Sequence, residues 1–427
     1  MSYDIERIRA QFPALSLTDE GRRRIYFDNP AGTQVPQLVI DRMSACLLEA
    51  NANLGGYFPT SRNADAIMDD AHEAMADLLN APSAKDIAFG QNMTTITLHI
   101  SRSIGALMSE GDEIILSRMD HDANVTPWLL MARDMGFVVK WLPFNLETFE
   151  FELDQLDNLI TDKTKLICIG GASNLTGTIH DVKTICAKAK AAGAWTFIDG
   201  VQSVPHIPTD VQDLDCDFLV SSAYKFFGPH QGMLYGRASV MQQLEPYKVR
   251  PAPDVMPGAF ETGTQSHEGA AGVTACVDYF AGVGEAFAQD YMDRYSQFSG
   301  RRQAVHAAMA MLFDYEAELA EHLISGLQQL PGVRILGITD AAAMERRVPT
   351  VSFAVENDSP DRIARALGDE NIFVWNGHNY ALEAASELGI LDTGGAVRVG
   401  PVHYNTIGEL DELLASLEGI LARRDAA

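Results

Sequence analysis

The middle of the chain alternates short apolar segments with segments that have helical spacing. The apolar segments with strand character are residues 113–117, 165–169, 196–199 and 217–221. Helical spacing is clearest between them, at residues 125–135 and 182–192. Alternation of this kind predicts a mostly parallel sheet that is covered by helices on both faces. The predicted fold class is therefore α/β.

Polar side chains follow the predicted strands at the points where these strands end. The residues in question are Asp120, His121, Ser173, Asn174, Asp199 and Lys225. In open α/β sheets, ligands bind at the carboxyl ends of the strands. The sequence therefore predicts a ligand site at that edge of the sheet.

The strand–helix alternation gives way to a different pattern near residue 278. A long helical region, about 279–330, leads into a few strands with flanking helices, which is typical of a smaller α+β domain. The chain of 427 residues is long enough for two cores. We therefore expect a large ligand-binding domain at 21–277 and a small domain at 278–427, with residues 1–20 packing on the small domain.

The charge and composition of the chain indicate which binding partners and compartments are expected. The net charge of −26 argues against nucleic acid or an anionic membrane as a partner. The start of the chain lacks a basic region and an apolar core, and no apolar run approaches the roughly 18–20 residues of a membrane span. The five cysteines form no Cys-x-x-Cys pair, which fits a reducing compartment. A cytoplasmic enzyme without a metal site is expected.

Lys225 and Asp199 together indicate one cofactor. Pyridoxal 5'-phosphate (PLP) requires a lysine amine for a Schiff base and a carboxylate that keeps its pyridine nitrogen protonated. Asp199 ends the apolar run 195–198, so its carboxylate is expected to face a cavity. An unpaired buried carboxylate would be costly, and a pyridinium nitrogen is a suitable partner. A lysine that follows a strand is more often simply solvated, but this pairing favours a role in binding PLP.

Several ordered segments match the motifs of a known family. Residues 26–32 read Tyr-Phe-Asp-Asn-Pro-Ala-Gly, residues 120–128 read Asp-His-Asp-Ala-Asn-Val-Thr-Pro-Trp, and Val397-Arg398 precedes Tyr-Asn-Thr at 404–406. In these motifs the chain resembles the class V aminotransferase family of fold type I PLP enzymes, in particular its cysteine desulfurase/selenocysteine lyase branch. The resemblance runs nearly end to end. It implies a large domain with a mostly parallel sheet, a smaller α+β C-terminal domain and a small amino-acid substrate.

The resemblance implies which residues hold the cofactor ring. Lys225 would bond to the cofactor, and Asp199 would pair with the ring nitrogen. His121 would stack on the ring and assist proton transfer. Asn174 and Gln202 would hydrogen-bond the phenolic oxygen.

The resemblance also implies a phosphate site. Met93 and Thr94 would open a helix whose free N–H groups hold the phosphate, with Ser222 and Tyr224 completing the site. The family commonly has histidine at the position of Tyr224. Thr264 resembles a family segment that reaches the phosphate of the neighbouring subunit. A homodimer with active sites at the subunit interface is therefore expected.

Two further residues would bind the substrate. By the resemblance, Arg398 would grip the α-carboxylate through two N–H groups, with Asn29 nearby. The alternative for Arg398 is a surface ion pair.

The chain departs from the family at the position of the sulfur-carrying cysteine. In the branch that it resembles, that cysteine lies in Val-Arg-x-Gly-His-x-Cys-Ala. Residues 374–381 read Val-Trp-Asn-Gly-His-Asn-Tyr-Ala, which places Tyr380 at the cysteine and Trp375 at the arginine. Residues 53–57 also lack an arginine that the family often has. A phenol cannot carry a persulfide, and the substrate pocket is expected to be less cationic and more aromatic.

These features predict a PLP-dependent C–S lyase that performs β-elimination without a persulfide cysteine. The expected catalytic residues are Lys225, His121, Asp199 and Tyr380. Tyr380 would either donate a proton to the leaving group or simply fill the pocket. The alternatives are amino transfer to a keto acid, epimerisation, and a PLP-binding protein without turnover.

Overall fold

The computed structural model describes residues 3–425. Its strands are β1 (Thr18–Asp19), β2 (Arg22–Arg23), β3 (Ile25–Tyr26), β4 (Ile87–Gly90), β5 (Glu113–Ser117), β6 (Val138–Leu142), β7 (Thr164–Gly170), β8 (Trp195–Asp199), β9 (Phe218–Ser222), β10 (Gly232–Gly236), β11 (Val333–Leu336), β12 (Val351–Val355), β13 (Ile372–Phe373), β14 (Trp375–Gly377) and β15 (Ala396–Val399).

Its α-helices are α1 (Ile5–Arg9), α2 (Gln37–Glu49), α3 (Pro59–Leu79), α4 (Met93–Gly105), α5 (Thr126–Met135), α6 (Leu153–Leu159), α7 (Val182–Ala191), α8 (Val211–Leu214), α9 (Ala238–Met241), α10 (His267–Phe287), α11 (Gln289–Met292), α12 (Gly300–Leu327), α13 (Pro360–Asp369), α14 (Leu382–Glu387) and α15 (Ile407–Asp425). Between residues 3 and 425, no helix has both the length and the apolar character needed to cross a membrane.

The larger sheet confirms the predicted α/β class. Among the described residues it has seven strands in the order β4-β10-β9-β8-β7-β5-β6. The pairs from β9 to β6 are parallel, and β10 runs antiparallel to both of its neighbours. Side chains alternate between the two faces of a strand, so Ile114 packs in one buried cluster and Ile115 in another. Helices cover both faces, as expected for strands that read as continuous apolar runs.

The smaller sheet is antiparallel and belongs to the C-terminal part of the chain. Within the described range its order is β11-β12-β15-β14. It packs against α13, α15 and the second half of α12 around a separate buried cluster. The early strand β3 pairs in parallel with β13, and Ile25 and Phe27 lie in this same cluster. This arrangement is the smaller α+β unit that the sequence predicts.

The change from one core to the other occurs inside α12. Leu312 packs in the large cluster and Leu319 in the C-terminal one. The predicted boundary at 277/278 falls within α10, whose buried residues pack with the large cluster. The helical sequence pattern begins near that point, but the buried residues of α10 still belong to the core of the large sheet. We therefore propose that the boundary falls in α12.

The first residues contact both regions. Ile8 and Phe12 pack in the large cluster. Arg9 forms an ion pair of 2.9 Å with Glu409 of α15. Packing of residues 1–20 with the small domain stays a prediction, and residues 1 and 2 lie outside the described range.

Candidate active site

A cavity of ≈ 800 Å³ lies at the carboxyl ends of the parallel strands. Most of the predicted site residues line it: Met93, Thr94, His121, Asn174, Asp199, Gln202, Ser222, Tyr224, Lys225, Tyr380 and Arg398. The strand ends of the large sheet supply its floor, and the C-terminal region supplies Trp375, Tyr380 and Arg398. The chain thus brings residues from distant segments to the predicted edge of the sheet.

Lys225 lies in a single helical turn directly after β9. Its Nζ donates to the carbonyl oxygen of Pro30 at 2.5 Å and lies 4.6 Å from the centre of the Tyr224 ring. Burial, and then the positive charge of Arg398, lower the pKa of Lys225 to about 7. A large fraction of the amine is therefore uncharged at neutral pH, as a nucleophile or a base requires.

Asp199 ends β8 and is buried. Its Oδ1 accepts a hydrogen bond of 2.9 Å from the backbone N–H of Val201. Burial raises the pKa of Asp199 to about 6. A positively charged ring nitrogen would offset that cost.

Asp120, which the sequence places at a strand end without giving it a role, is buried and lines the cavity. Its oxygens accept hydrogen bonds from Ser117 Oγ at 2.7 Å, Gly170 N at 2.8 Å and Asn124 Nδ2 at 2.8 Å. Burial raises the pKa of Asp120 to about 7, and the negative charge of Asp199 acts in the same direction.

His121 is a neutral imidazole in this site. Its Nδ1 accepts from the backbone N–H of Ala123 at 3.0 Å, which leaves the ring proton on Nε2. Burial, together with the charges of Lys225 and Arg398, lowers the pKa of His121 to about 3. Its ring stacks on that of Tyr380, with centroids 5.3 Å apart and planes 14° apart.

Several buried polar atoms at the cavity have no hydrogen-bond partner among residues 3–425. They are Oδ1 of Asn174, both amide atoms of Gln202 and Nε of Arg398. Buried polar groups are normally hydrogen-bonded, so these atoms indicate a polar ligand. PLP requires an amine for its Schiff base, a carboxylate at its ring nitrogen and hydrogen-bond partners at its ring oxygen. Lys225 and Asp199 meet the first two requirements, and the unpaired amides fit the third.

The opposite end of the cavity suits a phosphate. Helix α4 begins at Met93, whose N–H donates to Ser222 Oγ at 3.0 Å, and Thr94 lies in its first turn. A helix N-terminus favours an anion. The Tyr224 ring stacks on His230, with centroids 4.9 Å apart. His230 also lines the cavity and was missed, although it follows the lysine motif closely.

Arg398 lies in β15 and is buried, so the alternative of a surface ion pair is wrong. Its Nη1 donates to the carbonyl oxygen of Asn174 at 2.9 Å. Burial lowers the pKa of Arg398 to about 10, and the group remains charged at neutral pH. The guanidinium can therefore receive a carboxylate in the cavity.

Two predicted site residues lie away from the cavity lining. Asn29 Nδ2 donates to the carbonyl oxygens of Tyr26 at 3.0 Å and Gly400 at 2.7 Å, and its Oδ1 accepts from the Tyr404 hydroxyl. Its amide thus joins β3 to the C-terminal region, and contact with the substrate stays a prediction. Thr264 is exposed on an adjacent surface depression, and its role towards a second subunit also stays a prediction.

The comparisons with known proteins agree with this site. The family model described as Aminotransferase class-V matches residues 25–302 and 303–413. A cysteine desulfurase of Synechococcus elongatus is 32% identical over 439 residues, which cover 98% of this chain but only 64% of that protein. The "Aminotransferase-like protein FGM3" of Gibberella zeae is 32% identical over 430 residues, covering 98% of this chain and 99% of that protein.

Solved structures show the same architecture. The apo structure of a cysteine desulfurase from Thermococcus onnurineus NA1 has a TM-score of 0.85 and 26% identity, covering 99% of this chain and all of that one. The chain belongs to the class V aminotransferase family. It is a cysteine desulfurase-like, PLP-dependent enzyme of fold type I.

Proposed function

We propose that this enzyme is a lyase that eliminates a sulfur-containing group from the β-carbon of an α-amino acid. The observation that carries the proposal is the meeting of Lys225, Asp199 and Arg398 in one cavity whose described lining includes no cysteine. PLP, when bound, supplies an electron sink for the electron pair left at Cα. The chain's own residues bind and orient the substrate and move its protons.

Lys225 and Arg398 are suited to complementary tasks on the substrate. The Arg398 guanidinium would hold the α-carboxylate through charge-assisted hydrogen bonds. The Lys225 amine would accept the proton from Cα, because a pKa near 7 matches a general base at neutral pH. Asp199 would hold the proton on the ring nitrogen. Gln202 would donate to the ring oxygen through its unpaired Nε2, and Asn174 through the N–H of Nδ2 that does not bond to Asn379.

The absence of a reactive thiol favours release of the sulfur group over its capture as a persulfide. Each of the five cysteines is buried and free, and none lies in the described lining of the cavity. Tyr380 stands at the cavity instead. Its hydroxyl would donate a proton to the departing sulfur.

Amino transfer to a keto acid is the second candidate. It is favoured by the relative from Gibberella zeae, which is named an aminotransferase-like protein. The same Lys225 and Arg398 arrangement would serve that reaction.

A panel of amino acids tests the proposal on the PLP-loaded enzyme. Release of sulfide or a thiol with pyruvate supports elimination, and formation of a new amino acid from an added keto acid supports amino transfer. Exchange of the Cα proton with solvent, without other products, would identify an epimerase. A purified protein that never binds PLP would overturn the proposal.

We further propose a cytoplasmic homodimer. The surface depression that contains Thr264 shares Gln91, Thr95 and His230 with the wall of the cavity, so a second subunit docked there would reach the phosphate end. The free cysteines fit a reducing compartment. Sedimentation equilibrium tests the dimer, and a monomeric mass at micromolar concentration would contradict it.

A further inference from the structure

The cavity offers no lysine or arginine among its described lining residues that could bind a negatively charged substrate side chain. Among the described lining residues, the only lysine or arginine side chains are those of Lys225 and Arg398. Under the proposed function, the first acts on Cα and the second holds the α-carboxylate. A carboxylate or phosphate on the side chain of the substrate would therefore lose its hydration without gaining a partner.

Two exposed aromatic side chains, Trp375 and Tyr380, form what we call the aromatic wall of the cavity. They are 49% and 63% exposed. Trp375 is the register partner of Arg398 in the β14–β15 pair, so the two side chains project from the same face of the sheet as neighbours. A substrate whose carboxylate binds Arg398 must therefore pass beside Trp375. An apolar group there would be removed from water together with both rings.

The Tyr380 part of the aromatic wall is preformed. The backbone N–H of Asp122 donates to the carbonyl oxygen of Tyr380 at 2.7 Å, and Asn174 Nδ2 donates to that of Asn379 at 2.7 Å. Asn379 and Tyr380 both have positive φ, 52° and 59°, which residues other than glycine adopt only when their surroundings hold them there. The stack on His121 fixes the Tyr380 ring. Little conformational freedom would thus be lost when a ligand binds.

We propose that the substrate is a cysteine thioether whose sulfur carries an uncharged, apolar alkyl or aryl group. This inference rests on the proposed function. The Cα proton passes to Lys225, the bond between Cβ and sulfur breaks with its electron pair on sulfur, and sulfur takes a proton to leave as a thiol. Water then converts the remaining three-carbon unit to pyruvate and ammonia, so no oxidant or reductant is consumed. Free cysteine is too small to cover the aromatic wall.

The test compares S-propyl-L-cysteine with S-carboxymethyl-L-cysteine, which are similar in size but differ in charge. Binding to the PLP-loaded enzyme is read from the change in cofactor absorbance, and elimination is read from thiol release. We expect the S-propyl compound to bind at least about tenfold more tightly, because its end group gains apolar contact and loses no charge hydration.

Substitutions at Trp375 then test whether this side chain causes the preference for the S-propyl compound. Trp375→Arg should shift the ratio of the two affinities at least about tenfold towards the S-carboxymethyl compound, because it supplies a cation. Trp375→Phe keeps an aromatic face and should keep the preference. Trp141→Ala is the matched control, since that ring lies on the edge strand β6 beside Arg118 and outside the cavity lining. It should leave the ratio unchanged.

Failure of the inference differs from failure of the proposed function. Equal binding of the two thioethers, or a ratio that Trp375→Arg does not move, would overturn the inference. The expected binding without thiol release would overturn elimination and leave the side-chain class standing. No absorbance change with any amino acid would overturn both.

Discussion

The two ends of the cavity are built in different ways. The cofactor end consists of polar groups at the strand ends of the large sheet, among which Asp199 and Gln202 are buried and Lys225 is half-buried. The substrate end consists of exposed aromatic side chains from the C-terminal region, Trp375 and Tyr380. Apart from Tyr224, the first end matches the motifs of the class V aminotransferase family, and the second departs from them.

This difference has a physical basis. Polar groups buried at the cofactor end need partners in the protein or in the bound cofactor, so a change there leaves an atom unsatisfied at a cost of about 1–3 kcal/mol. Exposed aromatic side chains make no obligatory hydrogen bonds, so they can change with little effect on folding. The substrate end can therefore acquire a new specificity while the cofactor end remains intact.

The largest expected effect lies at the cofactor end. Lys225→Ala should lower turnover of any amino-acid substrate by at least about 1,000-fold, because it removes both the nucleophile and the base. It should also abolish the absorbance band of lysine-bound PLP. Lys183→Ala is the control, because that lysine pairs with Asp213 on the surface. Turnover that persists without Lys225 would contradict the assignment.

A smaller effect is expected in the pH dependence of cofactor attachment. The pKa of Lys225 is lowered to about 7, so its amine is protonated below that pH and nucleophilic above it. The rate at which cofactor-free protein bonds PLP should therefore rise with pH, with its midpoint at about pH 7, and level off at higher pH. Stopped-flow absorbance measures this rate.

A substitution at Arg398 tests the cause of the lowered pKa of Lys225 by the same measurement. Its positive charge is the second cause of the lowered pKa of Lys225, so Arg398→Gln should move the midpoint to higher pH. Arg118→Gln, which alters an arginine paired with Glu383 and Glu387, should not move it. A midpoint that is the same in wild type and Arg398→Gln would show that the two groups do not interact.

The sequence predicted the cofactor end more completely than the substrate end. Strand–helix alternation fixes where parallel strands end, and Asp199 and Lys225 follow such strands, so their meeting could be foreseen. The hydrogen bonds of Asn29 to Gly400 and Tyr404 join segments far apart in the chain, and no local pattern contains them. The stack of Tyr380 on His121 depends equally on how the C-terminal region docks. The boundary at 277/278 stays a prediction, and we propose α12 instead because a helical pattern does not reveal which core a helix joins.

The smallest expected effect separates the two roles of Tyr380. Tyr380→Phe keeps the ring that stacks on His121 and removes only the hydroxyl. If that hydroxyl protonates the departing sulfur, thiol release should slow by about tenfold to 100-fold, while the binding of S-propyl-L-cysteine stays the same. Tyr380→Ala should weaken binding as well, because it removes part of the aromatic wall. Single-turnover thiol release and the absorbance titration measure the two quantities separately. Unchanged thiol release in Tyr380→Phe would assign the tyrosine to the aromatic wall alone, and solvent would then supply the proton.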